Sequence, residues 1–212
     1  MVGIFEGKGD GRRVGRRKRL PHDETCYART WGRRFRLPTI ILPVLMLAAA
    51  DNPVKVTKLE EPEKALLFEV MVPAKLDEVW RAFTTKEGAQ EWLWPDMTVE
   101  LREGGDWIVH YPGGKTGGGT IVSFEPMQSI TMRAMAPEQF PEVRRERTTA
   151  VFRFEAAESG TKVTLLQTGW KKGKEWDEAY EYLASGNAQL LKQLLYRFQK
   201  GPIDWDKMLH AK

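Results

Sequence analysis

The chain has 212 residues, enough for one domain with its own hydrophobic core plus additional sequence, and its formal net charge at pH 7 is +4. The positive excess lies in residues 1–36, which hold 11 lysines and arginines against 4 acidic residues, whereas the remainder holds 22 against 25. A nucleic-acid-binding function would depend on those 36 residues alone, so we expect no nucleic-acid partner. The single cysteine, Cys26, lies there too, which excludes a disulfide or thiolate metal site within the remainder.

Residues 1–36 are rich in glycine and arginine and lack apolar periodicity, so they are predicted to form a disordered basic head. Residues 37–50 form a 14-residue uncharged segment, too short for a stable membrane span. A basic stretch, an apolar stretch and small residues before Asp51 are the layout of a signal peptide. This layout predicts cleavage near Ala50 and export, to the periplasm or out of the cell. A translation start near Thr30 would give the signal an ordinary length; if the segment is not a signal, the protein is cytoplasmic.

The remaining sequence is predicted to contain one folded domain. Residues 51–64 are polar, contain two prolines and are predicted to form a linker. The domain covers residues 65–201, and residues 202–212 are predicted to form a tail beyond it.

The domain is predicted to open with one strand and two short helices. The strand, Leu66–Val72, is mostly apolar and ends at Pro73. The second helix covers Lys86–Trp92 and ends before Pro95. The first helix carries an apolar stripe at helical spacing, formed by Leu76, Val79, Trp80 and Phe83.

Six further strands are predicted, since each segment alternates apolar and polar residues and the segments are separated by glycine- or proline-containing turns. They are Met97–Arg102, Asp106–Tyr111, Gly118–Glu125, Ser129–Met135, Thr148–Glu155 and Thr161–Thr168. A long helix follows at Glu175–Lys200, with an apolar stripe from Trp176 to Phe198. This order predicts an α+β fold, in which a curved antiparallel sheet of about six or seven strands surrounds the C-terminal helix.

Residues 66–200 resemble the START-like (helix-grip, SRPBCC) superfamily, and within it single-domain bacterial members of the heat-shock-protein-ninety ATPase activator homologue family. The resemblance is carried by VPAKLDEVWRAFTTKEGAQEWLWP, LREGGDW, EPMQSITM and TKVTLLQTGW, which occur in the family's order and spacing. It implies a helix-grip fold with a cavity between the sheet and the last helix. It is less specific about function, because relatives include ligand carriers, cyclases and hydratases, and co-chaperone domains.

The chain departs from the family pattern at two positions. Family members often carry histidine where Gln167 stands and tryptophan where Asn187 stands. Loss of that tryptophan is expected to open or polarise the cavity near the middle of the helix. The basic head and the signal-like segment also differ from the cytosolic co-chaperone, so a chaperone partner is expected only if this protein is cytosolic.

The candidate ligand site consists of large aromatic residues and two amides. These residues either fill a close-packed core or line an apolar pocket with a few polar groups. We expect Gln167 to lie beside Asn187, since the last helix crosses that part of the sheet. The candidate residues are Trp92, Trp94, Trp107, Phe152, Phe154, Gln167, Trp176, Tyr180 and Asn187.

No catalytic residues, metal site or cofactor are predicted. His110 stands alone on a strand, where histidine is usually a surface or locally bonded residue. The glycine-rich loop around Lys115 lacks both the phosphate-binding pattern and a following helix.

The sequence therefore predicts that the cavity binds a small, largely apolar molecule. Two alternatives stay open: a co-chaperone-like protein-interaction module and a cofactor-free enzyme of the cyclase or dehydratase kind. A polar pair pointing into the cavity would favour the enzyme, whereas a filled core with an exposed apolar patch would favour the interaction module.

Overall fold

The computed structural model describes residues 52–210. The basic head predicted over residues 1–36 and the signal-like segment predicted over residues 37–50 lie outside the described residues. Within the described part of the chain, no helix combines the length and the apolar character that a membrane span requires.

Residues 52–210 form eight strands and five α-helices, and a 3₁₀ turn at Pro112–Gly114. The helices are α1 (Leu76–Thr84), α2 (Lys86–Gln90), α3 (Pro141–Glu146), α4 (Lys174–Lys200) and α5 (Trp205–His210). The strands are β1 (Val54–Leu59), β2 (Ala65–Val72), β3 (Met97–Val99), β4 (Asp106–His110), β5 (Thr116–Glu125), β6 (Ser129–Met135), β7 (Thr148–Ala157) and β8 (Gly160–Thr168).

The strands make one antiparallel sheet in the order β1-β2-β8-β7-β6-β5-β4-β3. Alternate residues are buried along most strands, so one face of the sheet carries the core. A register shift between Ile121 and Ser123 marks a bulge in β5, which increases local bending and twist. The predicted α+β helix-grip fold, a curved sheet around one long helix, is confirmed.

α1 and α2 form one side of the core through a group of aromatic residues around Phe83. The Phe83 ring lies 5.0 Å from Trp92 and 5.1 Å from Phe152, measured between ring centroids. Trp92 Nε1 donates to the Ala82 carbonyl at 2.8 Å, and Trp107 Nε1 donates to the Phe83 carbonyl at 2.8 Å. These bonds satisfy two buried indoles and fix β4 against the end of α1.

α4 packs over the β1–β2 side of the sheet and against α3. The Tyr180 hydroxyl donates to the Ala65 carbonyl at 2.9 Å, which joins the first half of the helix to β2. Further along, Leu191 and Leu194 are fully buried in the main core. The helix lies toward the β1–β2 edge of the sheet. The inner face of strands β4 to β8, beneath the opposite side of the helix, is therefore only partly covered.

The structure differs from the sequence prediction at both ends of the domain. Residues 51–64 were predicted to be a linker, but Val54–Leu59 form the edge strand β1, and the sheet therefore has eight strands rather than six or seven. The predicted tail, residues 202–212, contains α5. Trp205 Nε1 donates to the Gln90 carbonyl at 2.5 Å, so this part of the tail is attached to the domain.

Candidate functional site

A cavity of about 690 Å³ lies between the inner face of the sheet and α4. Its volume falls within the range of roughly 300–1,000 Å³ that is usual for small-molecule pockets. Strands β4 to β8 provide one wall and one face of α4 provides the other. Most of this surface is apolar, formed by Leu93, Trp107, Val109, Met132, Ala134, Ala150, Phe152, Leu165, Leu183 and Leu190.

Two amide side chains place one polar spot in this apolar wall. Asn187 Nδ2 donates to Gln167 Oε1 at 2.8 Å, and Gln167 Nε2 donates to Thr148 Oγ1 at 2.8 Å. Gln167 and Thr148 are only 3% and 1% exposed, whereas Asn187 is half-buried and faces the cavity. The Gln167 backbone carbonyl also accepts from Trp170 Nε1 at 3.1 Å, which fixes the end of β8. The predicted proximity of Gln167 and Asn187 is confirmed.

Polar and ionisable residues surround the opening of the cavity. Lys115, Glu138 and Gln139 are exposed there, and Tyr111 and Tyr182 are 40% and 48% exposed. Burial of its hydroxyl, and secondarily the nearby Tyr182, raises the pKa of Tyr111, so this phenol stays neutral at physiological pH. The titratable side chains of the cavity lining therefore lie at its rim, and the lining side chains in its interior are neutral.

α3 holds the rim together through Arg144. The guanidinium donates to the carbonyl oxygens of Thr116 at 3.1 Å and Ala136 at 2.7 Å, and to Thr116 Oγ1 at 2.7 Å. The backbone N–H groups of Glu142 and Val143 donate to the Glu175 carboxylate at 2.7 and 3.1 Å. The start of β5, the end of β6 and the start of α4 are thus fixed relative to one another.

Gly186 lies on the cavity side of α4 and leaves space against the helix backbone. A Cβ atom added there would have no neighbouring atom within 4 Å. Gly117, on the opposite wall, is different, because a Cβ would lie 3.3 Å from the Tyr111 ring. The free volume therefore reaches the middle of α4 and is limited at β5.

Of the nine predicted site residues, the cavity is lined by Trp107, Phe152, Gln167 and Asn187. Trp92 and Phe154 are instead packed around Phe83 in the core, behind the cavity wall. Their rings belong to the interior because α1 and α2 cover that end of the sheet.

The other three predicted residues face different neighbours. Trp94 lies against Tyr111 and Trp205, with centroid distances of 5.3 and 5.4 Å. Trp176 and Tyr180 pack edge-on against Trp170, at 6.5 and 5.0 Å, near the first turns of α4. These three therefore support the walls or the helix and do not line the cavity.

Several lining residues were not singled out from the sequence although a signal was present. Leu183 and Leu190 stand four residues before and three residues after Asn187, which puts them on the same helix face. Val109 is two residues after Trp107 and shares its side of β4. The rim residues Lys115, Glu138 and Tyr182 gave no such signal, because they come from two loops and an exposed helix face.

The described residues place no metal cluster in or near this cavity. Residues 52–210 hold no group of three His, Cys, Asp or Glu side chains positioned to bind a metal ion. His110 Nε2 lies 2.9 Å from Thr98 Oγ1 and is not part of the cavity lining. The chemistry available inside is therefore apolar contact and hydrogen bonding to neutral amides.

Comparison with known proteins gives one family match. The family described as "Activator of Hsp90 ATPase homolog 1-like protein" matches residues 73–198. No curated protein matches the sequence.

Several solved structures share the fold at low identity. Protein MLL2253 from Mesorhizobium loti is 18% identical with a TM-score of 0.56, and the match covers 66% of this chain and 99% of that one. The Aha1 dimer from Colwellia psychrerythraea is 17% identical with a TM-score of 0.53, and the match covers 65% of this chain and 97% of that one. Protein Ms6760 from Mycobacterium smegmatis is 19% identical with a TM-score of 0.53, and the match covers 76% of this chain and 99% of that one. At these identities the likeness concerns the fold alone.

Proposed function

This chain belongs to the family of Activator of Hsp90 ATPase homolog 1-like proteins, and on that premise we propose that it binds a small, largely apolar molecule between the sheet and α4. The observation that supports this function is the cavity of about 690 Å³ with its apolar wall. Protein interiors are otherwise close-packed, with few voids larger than a water molecule. A chamber of this size that opens to solvent is therefore available to a ligand.

The wall chemistry supports an apolar ligand in particular. Transfer of apolar surface from water to such a wall is favourable by about 25 cal/mol per Å². The amide pair adds one orienting contact, and the rim residues Lys115 and Glu138 remain in contact with water. A ligand with an apolar body fits this division between an apolar interior and a polar opening.

A fluorescence titration with N-phenyl-1-naphthylamine, an uncharged apolar probe, tests this function. Asn187→Trp places an indole in the cavity, whereas Gln189→Trp adds the same indole on the exposed face of α4. We expect the parent and Gln189→Trp to bind the probe equally, and Asn187→Trp to lose binding while its melting temperature does not fall. Equal binding by all three proteins would overturn the proposal and favour the co-chaperone-like alternative.

The enzymatic alternative receives less support from the cavity. Its polar pair, Gln167 and Asn187, consists of two amides that neither release nor accept protons at ordinary pH, so the pair supplies no general acid or base. The ionisable side chains of the lining are all exposed to solvent; they are Tyr111, Lys115, Glu138 and Tyr182. Binding without catalysis is accordingly the function that we propose.

A further inference from the structure

We infer that the ligand carries one uncharged hydrogen-bonding group, a hydroxyl or a carbonyl, that contacts the Asn187 amide, which the Thr148–Gln167–Asn187 chain of hydrogen bonds holds at the cavity wall. This inference rests on the proposed function, since it names the chemical class of molecule that the same cavity takes.

One end of the chain of hydrogen bonds is buried in the sheet, and the other end borders the cavity. Thr148 on β7 and Gln167 on β8 are diagonal neighbours in the sheet and are buried. Asn187, on α4, uses one N–H on Gln167, and this is its only side-chain hydrogen bond within residues 52–210. Asn187 lines the cavity, and its Oδ1 and second N–H have no partner among residues 52–210. The amide can therefore accept from a ligand hydroxyl through Oδ1 or donate to a ligand carbonyl through this N–H.

The surroundings of Asn187 exclude a charged group at this point. The neighbouring wall residues Leu165, Leu183 and Leu190 are apolar, and the amide chain carries no net charge. An ion buried there would lose its hydration without gaining a counter-charge. A wholly apolar ligand would also bind less well, because it would cover the outward atom of Asn187 without replacing its hydrogen bond to water.

Competition against N-phenyl-1-naphthylamine with three naphthalenes of similar shape tests the inference on the full chain. We expect 2-naphthol and 2-acetylnaphthalene each to displace the probe at concentrations roughly two- to tenfold lower than 2-ethylnaphthalene, the gain typical of one hydrogen bond. Asn187→Leu should still bind the probe, since the cavity remains apolar, but should treat the three competitors alike. A thermal melt of each variant verifies that it is folded.

The outcomes separate this inference from the proposed function. Failure of the parent to bind the probe overturns the proposed function. Binding of the probe together with equal displacement by the three naphthalenes overturns the inference and leaves the proposed function standing. A preference for the hydroxyl or the ketone that persists in Asn187→Leu shows that Asn187 does not make the contact and likewise overturns the inference.

Discussion

Gly186 interrupts the 27-residue helix α4 at a position where a side chain would meet no neighbour. Glycine in a helix interior costs about 0.5–1 kcal/mol relative to alanine, mainly through conformational entropy. We therefore expect Gly186→Ala to raise the free energy of unfolding by roughly that amount, measured by urea denaturation. Gly88→Ala in α2 is the contrasting control, since its Cβ would lie 2.3 Å from the Arg81 carbonyl oxygen, and it should destabilise the protein.

Two leucines on α4 differ in what their removal should cost. Leu194 is fully buried in the core, so Leu194→Ala should lower the free energy of unfolding by about 2–5 kcal/mol through lost burial and a new void. Leu190 is half-buried and already borders the cavity, so Leu190→Ala should cost distinctly less and enlarge the chamber. Denaturation of both variants checks the order. Equal losses would mean that Leu190 is not at the cavity wall.

Prediction of individual residues from the sequence succeeded where the apolar stripe of a helix faced the alternating pattern of a strand. The helical stripe placed Asn187 inward, strand alternation placed Gln167 inward, and the crossing of α4 over the sheet brought them together. It failed for Trp94, which follows α2 in a turn and lies against Tyr111 and Trp205. No local pattern reveals a contact that depends on a tail more than 100 residues away.

At the scale of elements, Glu91 links the end of α2 to α1 and α4. Its carboxylate accepts from Arg81 at 2.9 Å and from Arg197 Nε at 3.0 Å. Burial alone would raise the pKa of Glu91, but the hydrogen bonds and charges of Arg197 and Arg81 outweigh it and the pKa is lowered. The ionised form therefore contributes stability above the ordinary glutamate pKa, about 4.3, and that contribution is lost as the pH falls through the lowered value.

This linkage gives a pH-dependent prediction for Glu91→Gln. We expect the parent to be more stable than the variant at pH 7 and the difference to shrink as the pH falls below about 4, because the parent carboxylate then becomes neutral as well. Urea denaturation at both pH values measures it. Glu178→Gln, an exposed change on α4, should alter stability little at either pH. A difference for Glu91→Gln that stays constant with pH would contradict the ion-pair argument.

Sequence reasoning missed the strand β1 as well as the short helices α3 and α5. In VKVTKL only Val54 is fully buried, and the two lysines are typical of a sheet edge that must resist further pairing. Such a strand is specified by its partner β2 rather than by its own periodicity. The interior strands were predictable, because burial of one face imposes alternation on them.

At the scale of the whole molecule, periodicity predicts which faces point inward but not whether the inward side chains fill the space between them. The cavity volume is the small difference between two large volumes. One is the space that the sheet and α4 enclose, and the other is the volume of the side chains within that space. Gly186 and Asn187 stand where larger residues would reduce that difference, and only the arrangement of α4 over the sheet shows their effect.

The last prediction concerns residues 1–50. The described core lies between Val54 and Leu195, and within the described residues no buried side-chain nitrogen or oxygen lacks a hydrogen-bond partner. A protein of residues 51–212 should therefore fold cooperatively, with a thermal melting temperature within a few degrees of the full chain. We further propose that residues 37–50 act as a signal peptide, so mature protein isolated from its host should begin near Asp51, as measured by intact mass. An unfolded truncated protein would contradict the first expectation, and a mature protein that retains the basic head would contradict the second.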